Sequence, residues 1–393
     1  MAARVTLAGL RPLWVAPWLV LAAACGDPRS SRVRPTGPGP AQALSAREFG
    51  ILGGLEAPSP ELDHTGALVL IDPALGVSNV QCTATLIGPE TAVTAKHCVQ
   101  LLGLFESFGQ RAVWSQGGDV QSPTQLTRVV AVESVEPGEE AGALGNGRDV
   151  AVVHLGEPVA IEPAQVKSFR AEQLGTAMVT LGFGSAAARA APDGVRRIGR
   201  ETVVAAEGLL YEILYGGFET FLEVELTGRV SDRDYLQVVA RDPSLVDLGA
   251  LREQYDGTSL ITEYEVVTRT LEGNTRNCRG DSGGPLAQVG TQGEWEIYGV
   301  LSGGPSSFRA ECDFGQVYAT FGPATLSFLE RARGWVDPCG DVDERGSCAG
   351  AILQRCETDI GSNVRRLVDE DCAASGQSCV VLGDTARCSG AAL

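Results

Sequence analysis

The decapeptide Asn277–Leu286, NCRGDSGGPL, places one hydroxyl, that of Ser282, between an acid and a pair of glycines. Taken alone, this composition is that of a tight surface turn. A chemical reading needs partners elsewhere in the chain. A serine hydroxyl attacks a carbonyl carbon only when a neighbouring base takes its proton, and histidine is the side chain whose basicity suits that role near neutral pH. The chain holds three histidines. His97 lies in TAVTAKHCVQ, directly before a cysteine, whereas His154 sits inside the apolar run DVAVVHL and His64 in a polar stretch, so these last two read as structural or solvated. A third partner, a buried carboxylate that fixes the imidazole tautomer and stabilises its cation, is offered by Asp149. Alone it would be the end of a GNGRD turn; at the start of an apolar run, its side chain is expected to face protein.

Positioning such groups requires a scaffold, and the texture from Ile51 onward suggests which one. Short apolar runs, among them GALVLIDP, CTATLIGP and AMVTLGFG, are rich in β-branched residues and broken by Gly, Pro, Asn and Asp. They read as antiparallel strands of barrels or sandwiches. Helical periodicity is confined to Ser244–Tyr255 and Ala324–Val336. Ahead of this, Arg4 and Arg11 precede an apolar run from Leu13 to Ala24, too short for the ~20 residues that span a bilayer. Residues 1–24 have the layout of a secretory signal peptide. The run ends in LAAAC and resembles a bacterial lipobox, with Ala22 where a Leu is usual, so that Cys25 would carry a lipid; cleavage after an Ala-x-Ala is the alternative. Residues 25–50, rich in Pro, Gly, Ser and Arg, read as a linker or pro-segment.

Of eleven cysteines, Cys25 is the odd one if the other ten pair, and the exported context permits disulfides. Six fall in residues 337–393, which read as a small disulfide-stapled module whose connectivity and ligand the sequence leaves open. A net charge of −18 with no Lys/Arg cluster argues against nucleic-acid binding. Three scattered histidines and no H-E-x-x-H argue against a metal, and no cofactor is expected.

Five motifs then carry a family resemblance: ILGG at Ile51–Gly54, TAKHC at Thr94–Cys98, DVAV at Asp149–Val152, GDSGGP at Gly280–Pro285 and SGG at Ser302–Gly304. In this order, and over Ile51–Trp335, the chain resembles the chymotrypsin/trypsin-like serine proteases. The resemblance implies an all-β fold of two six-stranded antiparallel barrels, about 51–165 and 166–336 within a domain at 51–336, with the site in the cleft between them. It implies Ser282 as nucleophile, His97 as general base and acid, Asp149 as orienting carboxylate, and the N–H groups of Gly280 and Ser282 as the oxyanion hole. Ser302 and Gly304 would pair with the substrate backbone. Cys82 would bridge to Cys98 and Cys278 to Cys312. The first closes a loop worth about 3 kcal/mol in the chain-entropy account, enough to hold the base in place.

The resemblance further implies a zymogen, cut before Ile51 so that the new amino terminus pairs with Asp281; cutting after Gly50 would also release the domain from Cys25. Arg276 stands at the base of the specificity pocket with Gln316 near it, which suggests acidic substrate residues unless Arg276 turns to solvent. Two departures stand out. Lys96 replaces a customary Ala and is expected either to pair with Asp149 or to reach solvent. Gly303 replaces a customary Trp and is expected to widen the pocket wall. Residues 207–257 read as an insertion. The expected function is that of an exported, monomeric serine endopeptidase acting on proteins or peptides; the alternative is a catalytically silent binding protein or adhesin on the same fold.

Overall fold

The computed structural model describes residues 51, 54–73, 78–106, 108–136, 138–186, 190–228, 247–270, 276–304, 315–340, 342–358 and 365–390. The expected signal sequence and linker (residues 1–50, with Cys25) and Cys312 lie outside the described residues.

A two-residue strand, β1 (Leu55–Glu56), precedes a first barrel made of β2 (Thr65–Ile71), β3 (Ser78–Gly88), β4 (Thr91–Thr94), β5 (Arg111–Gln116), β6 (Gln125–Ser134) and β7 (Ala151–Leu155). These strands close in the order β2-β3-β4-β7-β6-β5, and every pairing is antiparallel. One helix, α1 (Lys96–Glu106), leaves β4 after a single residue. After β8 (Gln165–Val166) come β9 (Ala177–Gly182), β10 (Arg197–Ala205), β11 (Glu265–Arg269), β12 (Pro285–Val289), β13 (Trp295–Gly303) and β14 (Gln316–Thr320). The path β10-β11-β14-β13-β12-β9 is closed by pairing of β9 with β10, giving the second six-stranded barrel. The runs recognised as apolar in the sequence are these strands.

Their composition explains their placement. β4 and β7 are buried along their whole length, because an aliphatic, β-branched run satisfies both faces of a strand lying between a barrel interior and a neighbouring barrel. Leu68, Leu86, Trp114 and Val153 fill the first barrel. Val93 and Val152 face the other way and join Ile297, Val300 and Phe321 of the second barrel in one shared cluster. The two barrels are therefore fused through a common core, which sets the geometry of the groove between them.

The insertion forms helices α2 (Leu210–Tyr215), α3 (Phe218–Gly228) and α4 (Leu248–Gly257). Leu214, Phe221 and Tyr255 make an apolar cluster of their own, seated on Val267 and Val317 of the second barrel and on Ala143. Helix α4 begins later than its periodicity suggests because Asp247 caps it, accepting from Ala250 N at 2.9 Å. The last helix, α5 (Pro323–Ala332), starts on a proline at its first turn and ends four residues before Val336. It stops there because the chain turns so that Trp335 stacks on His154, ring centroids 4.3 Å apart.

The carboxy-terminal region is built differently. A three-stranded sheet of β15 (Ser347–Ala349), β16 (Ile352–Thr358) and β17 (Arg365–Asp371) and a hairpin of β18 (Ser378–Leu382) and β19 (Thr385–Ser389) bury little beyond Leu353, Ala386 and their cysteines. Three disulfides, Cys339–Cys356, Cys348–Cys379 and Cys372–Cys388, give the connectivity that the sequence left open.

Candidate active site

The site is assembled around two consecutive residues of β3. Cys82 forms a disulfide with Cys98, the residue after His97 at the start of α1. Thr83, next to it, reaches the opposite wall: its N–H donates to Ser282 O at 2.8 Å and its hydroxyl to Gly280 O at 2.9 Å. One strand thus holds both the histidine helix and the serine loop.

Asp149 is almost wholly buried and receives four donors. The His97 backbone N–H donates to Oδ1 at 3.0 Å, and His97 Nδ1 lies 2.8 Å from Oδ2. The Ser302 hydroxyl donates to Oδ2 at 2.5 Å, and Asn146 Nδ2 lies at 3.5 Å. Burial disfavours the Asp149 charge, but the bonds from His97 and Ser302 outweigh it and hold the carboxyl below its ordinary range. An ionised Asp149 also caps the first turn of α1, where the exposed N–H groups favour negative charge. With Nδ1–H committed to Asp149, the lone pair of His97 is left on Nε2. That nitrogen lies 3.7 Å from Cys98 Sγ.

The serine loop shows why its glycines are needed. Gly280 has φ +92°, and a Cβ there would lie 2.9 Å from Gly184 Cα; Gly283 has φ +80°, and a Cβ would lie 2.3 Å from Thr83 O. The turn is tied by Asp281 N to Cys278 O at 3.1 Å and by Gly283 N to Leu301 O at 2.8 Å. Among the described residues, no group accepts from the N–H of Gly280 or Ser282, so both donors stay available for a ligand oxygen. Ser282 itself is half-buried, and among the described residues no hydrogen bond joins its hydroxyl to the His97 ring. Such contacts are often loose before substrate binds.

Asp281 is fully buried and accepts from Gly184 N and Cys278 N, both at 2.8 Å. Among the described residues no cation is within ion-pair distance of it. Burial pushes its carboxyl up to about 7. Ile51 is buried as well.

Of the two departures noted in the sequence, Lys96 differs from expectation. Lys96 neither pairs with Asp149 nor reaches out to solvent: Nζ donates to the carbonyl of Asn146, in the loop that carries Asp149. At Gly303, Leu144 from the same loop comes within 3.0 Å of where a Cβ would stand. That loop is also strapped from the second barrel. Both oxygens of the buried Glu265 accept from Ala143 N, at 3.1 and 3.0 Å, and Oε2 also accepts from Ile261 N at 2.8 Å. Neither the strap nor the Ser302 hydroxyl bond was foreseen, since nothing local in the sequence marks a contact across more than a hundred residues.

Of the other residues anticipated, Gln316 is buried, with Nε2 donating to Asn277 O at 3.3 Å and Oε1 lying 2.6 Å from a Cβ built on Gly304. Its amide spans the two walls near Arg276, which is half-buried. Cys278 is disulfide-bonded. His154 is buried between Thr91 and Glu133, away from the cleft, and His64 is buried beside Trp295, so both are structural. The one grouping of metal-type ligands among the described residues is Cys82, His97 and Cys98, and two of its three members are spent in a disulfide.

The fold and these walls agree with an independent comparison: a family model for trypsin matches residues 51–206 and 234–324, well over half of the chain. The chain belongs to the trypsin family, and its catalytic-type body is a trypsin-like serine protease domain.

Proposed function

We propose that the protein is an exported serine endopeptidase, made as a zymogen, with Ser282, His97 and Asp149 as its catalytic triad. The observation that carries this reading is the chain of bonds from Ser302 through Asp149 to His97 Nδ1, beside a serine loop whose Gly280 and Ser282 N–H groups have no acceptor among the described residues. His97 Nε2 takes the Ser282 proton as Oγ attacks the scissile carbonyl. The oxyanion that forms is received by the two N–H groups, a contribution of about 3 kcal/mol per donor in comparable sites. His97 then protonates the leaving amine, and water hydrolyses the acyl-enzyme by the same steps in reverse. Asp149 remains ionised throughout, consistent with the bonds it accepts.

Activation follows the same logic. A buried carboxylate at Asp281 with no cation within ion-pair distance among the described residues is costly, and a new ammonium group at Ile51, freed by cleavage after Gly50, would supply one. With Arg276 turned into the pocket beside the amide of Gln316, the base would be polar and cationic and would select an acidic residue before the scissile bond. If Cys25 carries a lipid, the same cut releases the enzyme, because no cysteine between them would retain it.

A fluorophosphonate probe tests this. Protein beginning at Ile51 should label and Ser282→Ala should not, while the uncut chain labels slowly. A silent binding protein is favoured by one observation, that among the described residues no hydrogen bond joins the Ser282 hydroxyl to His97, and absence of labelling in the cut protein would establish it. Cleavage of a peptide library chiefly after Lys or Arg would refute the pocket assignment, and mature enzyme retained on membranes would refute release.

A further inference from the structure

Beneath the serine loop, inside the second barrel, lies a closed ring of hydrogen bonds that the reaction does not use directly. Tyr318 on β14 donates its hydroxyl to Thr180 Oγ1 on β9 at 3.0 Å. Thr180 donates to Asn277 Oδ1 at 3.0 Å, and Asn277 Nδ2 returns a hydrogen to the Tyr318 oxygen at 2.6 Å. The second hydrogen of Nδ2 goes to Glu201 Oε1 on β10 at 2.8 Å, while Thr268 on β11 donates to Oε2. All five side chains are buried. The side chain of Asn277 therefore makes three bonds inside the barrel, and none of its polar atoms is turned to the cleft.

Asn277 is one residue from Cys278, whose N–H holds Asp281, and three from Gly280. We propose that Asn277, oriented by Glu201 and Tyr318, is a positioning residue for the oxyanion-hole N–H groups of Gly280 and Ser282; this rests on the serine protease reading above. Only an amide fits the place. It must accept once and donate twice along fixed directions, and an Asp would set a second carboxylate against Glu201. Closed rings of this kind polarise each member and resist displacement, so the loop above is held from below as well as by Thr83 from the side.

The test uses full-length protein cleaved before Ile51, in wild-type, Tyr318→Phe and Asn277→Asp forms. Tyr318→Phe keeps the volume and removes one link, which guards against a variant that fails to fold. The expected result is a fall in kcat of about tenfold or more with KM changed less than about twofold, as for a misplaced catalytic donor. A peptide aldehyde, whose adduct puts an oxyanion at the two N–H groups, should lose affinity in step with kcat/KM. A merely structural role would lower the melting temperature and leave both ratios unmoved. Unchanged kcat and aldehyde affinity in both variants, with wild type active, would overturn this inference alone. A cut wild-type protein that neither labels with fluorophosphonate nor hydrolyses any peptide would overturn the protease reading and the inference with it.

Discussion

The two walls of the cleft are held by different physics. On the first-barrel side, His97 is fixed by a covalent bond one residue away and by an ionised Asp149 that takes both its ring N–H and its backbone N–H. On the second-barrel side, the serine loop is fixed by buried groups whose acidity burial weakens, Asp281 and Glu201, each pushed up to about 7, and by the ring around Asn277. The difference follows from what each wall must do. A general base needs a stable charge beside it to develop its own positive charge, whereas an oxyanion hole works best when nothing nearby competes for its donors. An unpaired negative charge at Asp281 would oppose the very charge that the reaction creates, and the ammonium group proposed to form at Ile51 would offset it.

The largest break in this comparison is expected from Asp149→Asn. It should lower kcat about 10⁴-fold by turning the imidazole into the wrong tautomer, and fluorophosphonate labelling of Ser282 should slow with it, because both depend on the same base. Replacing Cys82 and Cys98 together by Ala should cost about 3 kcal/mol in denaturant unfolding, because the bridge closes a short loop. The loss should fall on the first wall: peptide hydrolysis should decline before the fluorescence of Trp295, on the second barrel, reports unfolding.

The pH dependence of stability sharpens the contrast. Glu201 titrates at its ordinary 4.5 when unfolded and at about 7 when folded, so between these values the native state holds a proton that the unfolded chain has lost. Stability from this group is therefore greatest at low pH and falls as pH rises from about 4.5 to about 7. Asp149 has the opposite sign, with stability lost as pH falls through its depressed value. Glu201→Gln should flatten the decline between pH 5 and pH 7.5 by on the order of 3 kcal/mol at most, measured by urea unfolding at the two pH values. An unchanged difference would show that Glu201 is already ionised in its ring. The smallest effect is expected from Lys96→Met, which removes one bond to the Asp149 loop and should reduce kcat/KM by no more than about tenfold.

The sequence carried the reacting groups because each is marked by its immediate neighbours. Ser282 sits among glycines that only a positive-φ turn requires, His97 next to a cysteine, and Asp149 at the mouth of a buried strand. Alternating and aliphatic runs carried the two barrels in the same way, since strand burial is a local pattern. What held the groups in place was not marked. Glu265 meets Ala143 across 122 residues and Asn277 meets Glu201 across 76, and nothing in either stretch records the other. The partner of Lys96, Asn146, is unmarked for the same cause: it belongs to a loop held by the helical insertion through Ala143 and by Glu265. Residue types decide which reaction is within reach, because nucleophile, base and carboxylate are chemical identities. Closure of the barrels decides whether those groups meet and what surrounds them, because burial and the hydrogen bonds it demands exist only once distant strands have come together.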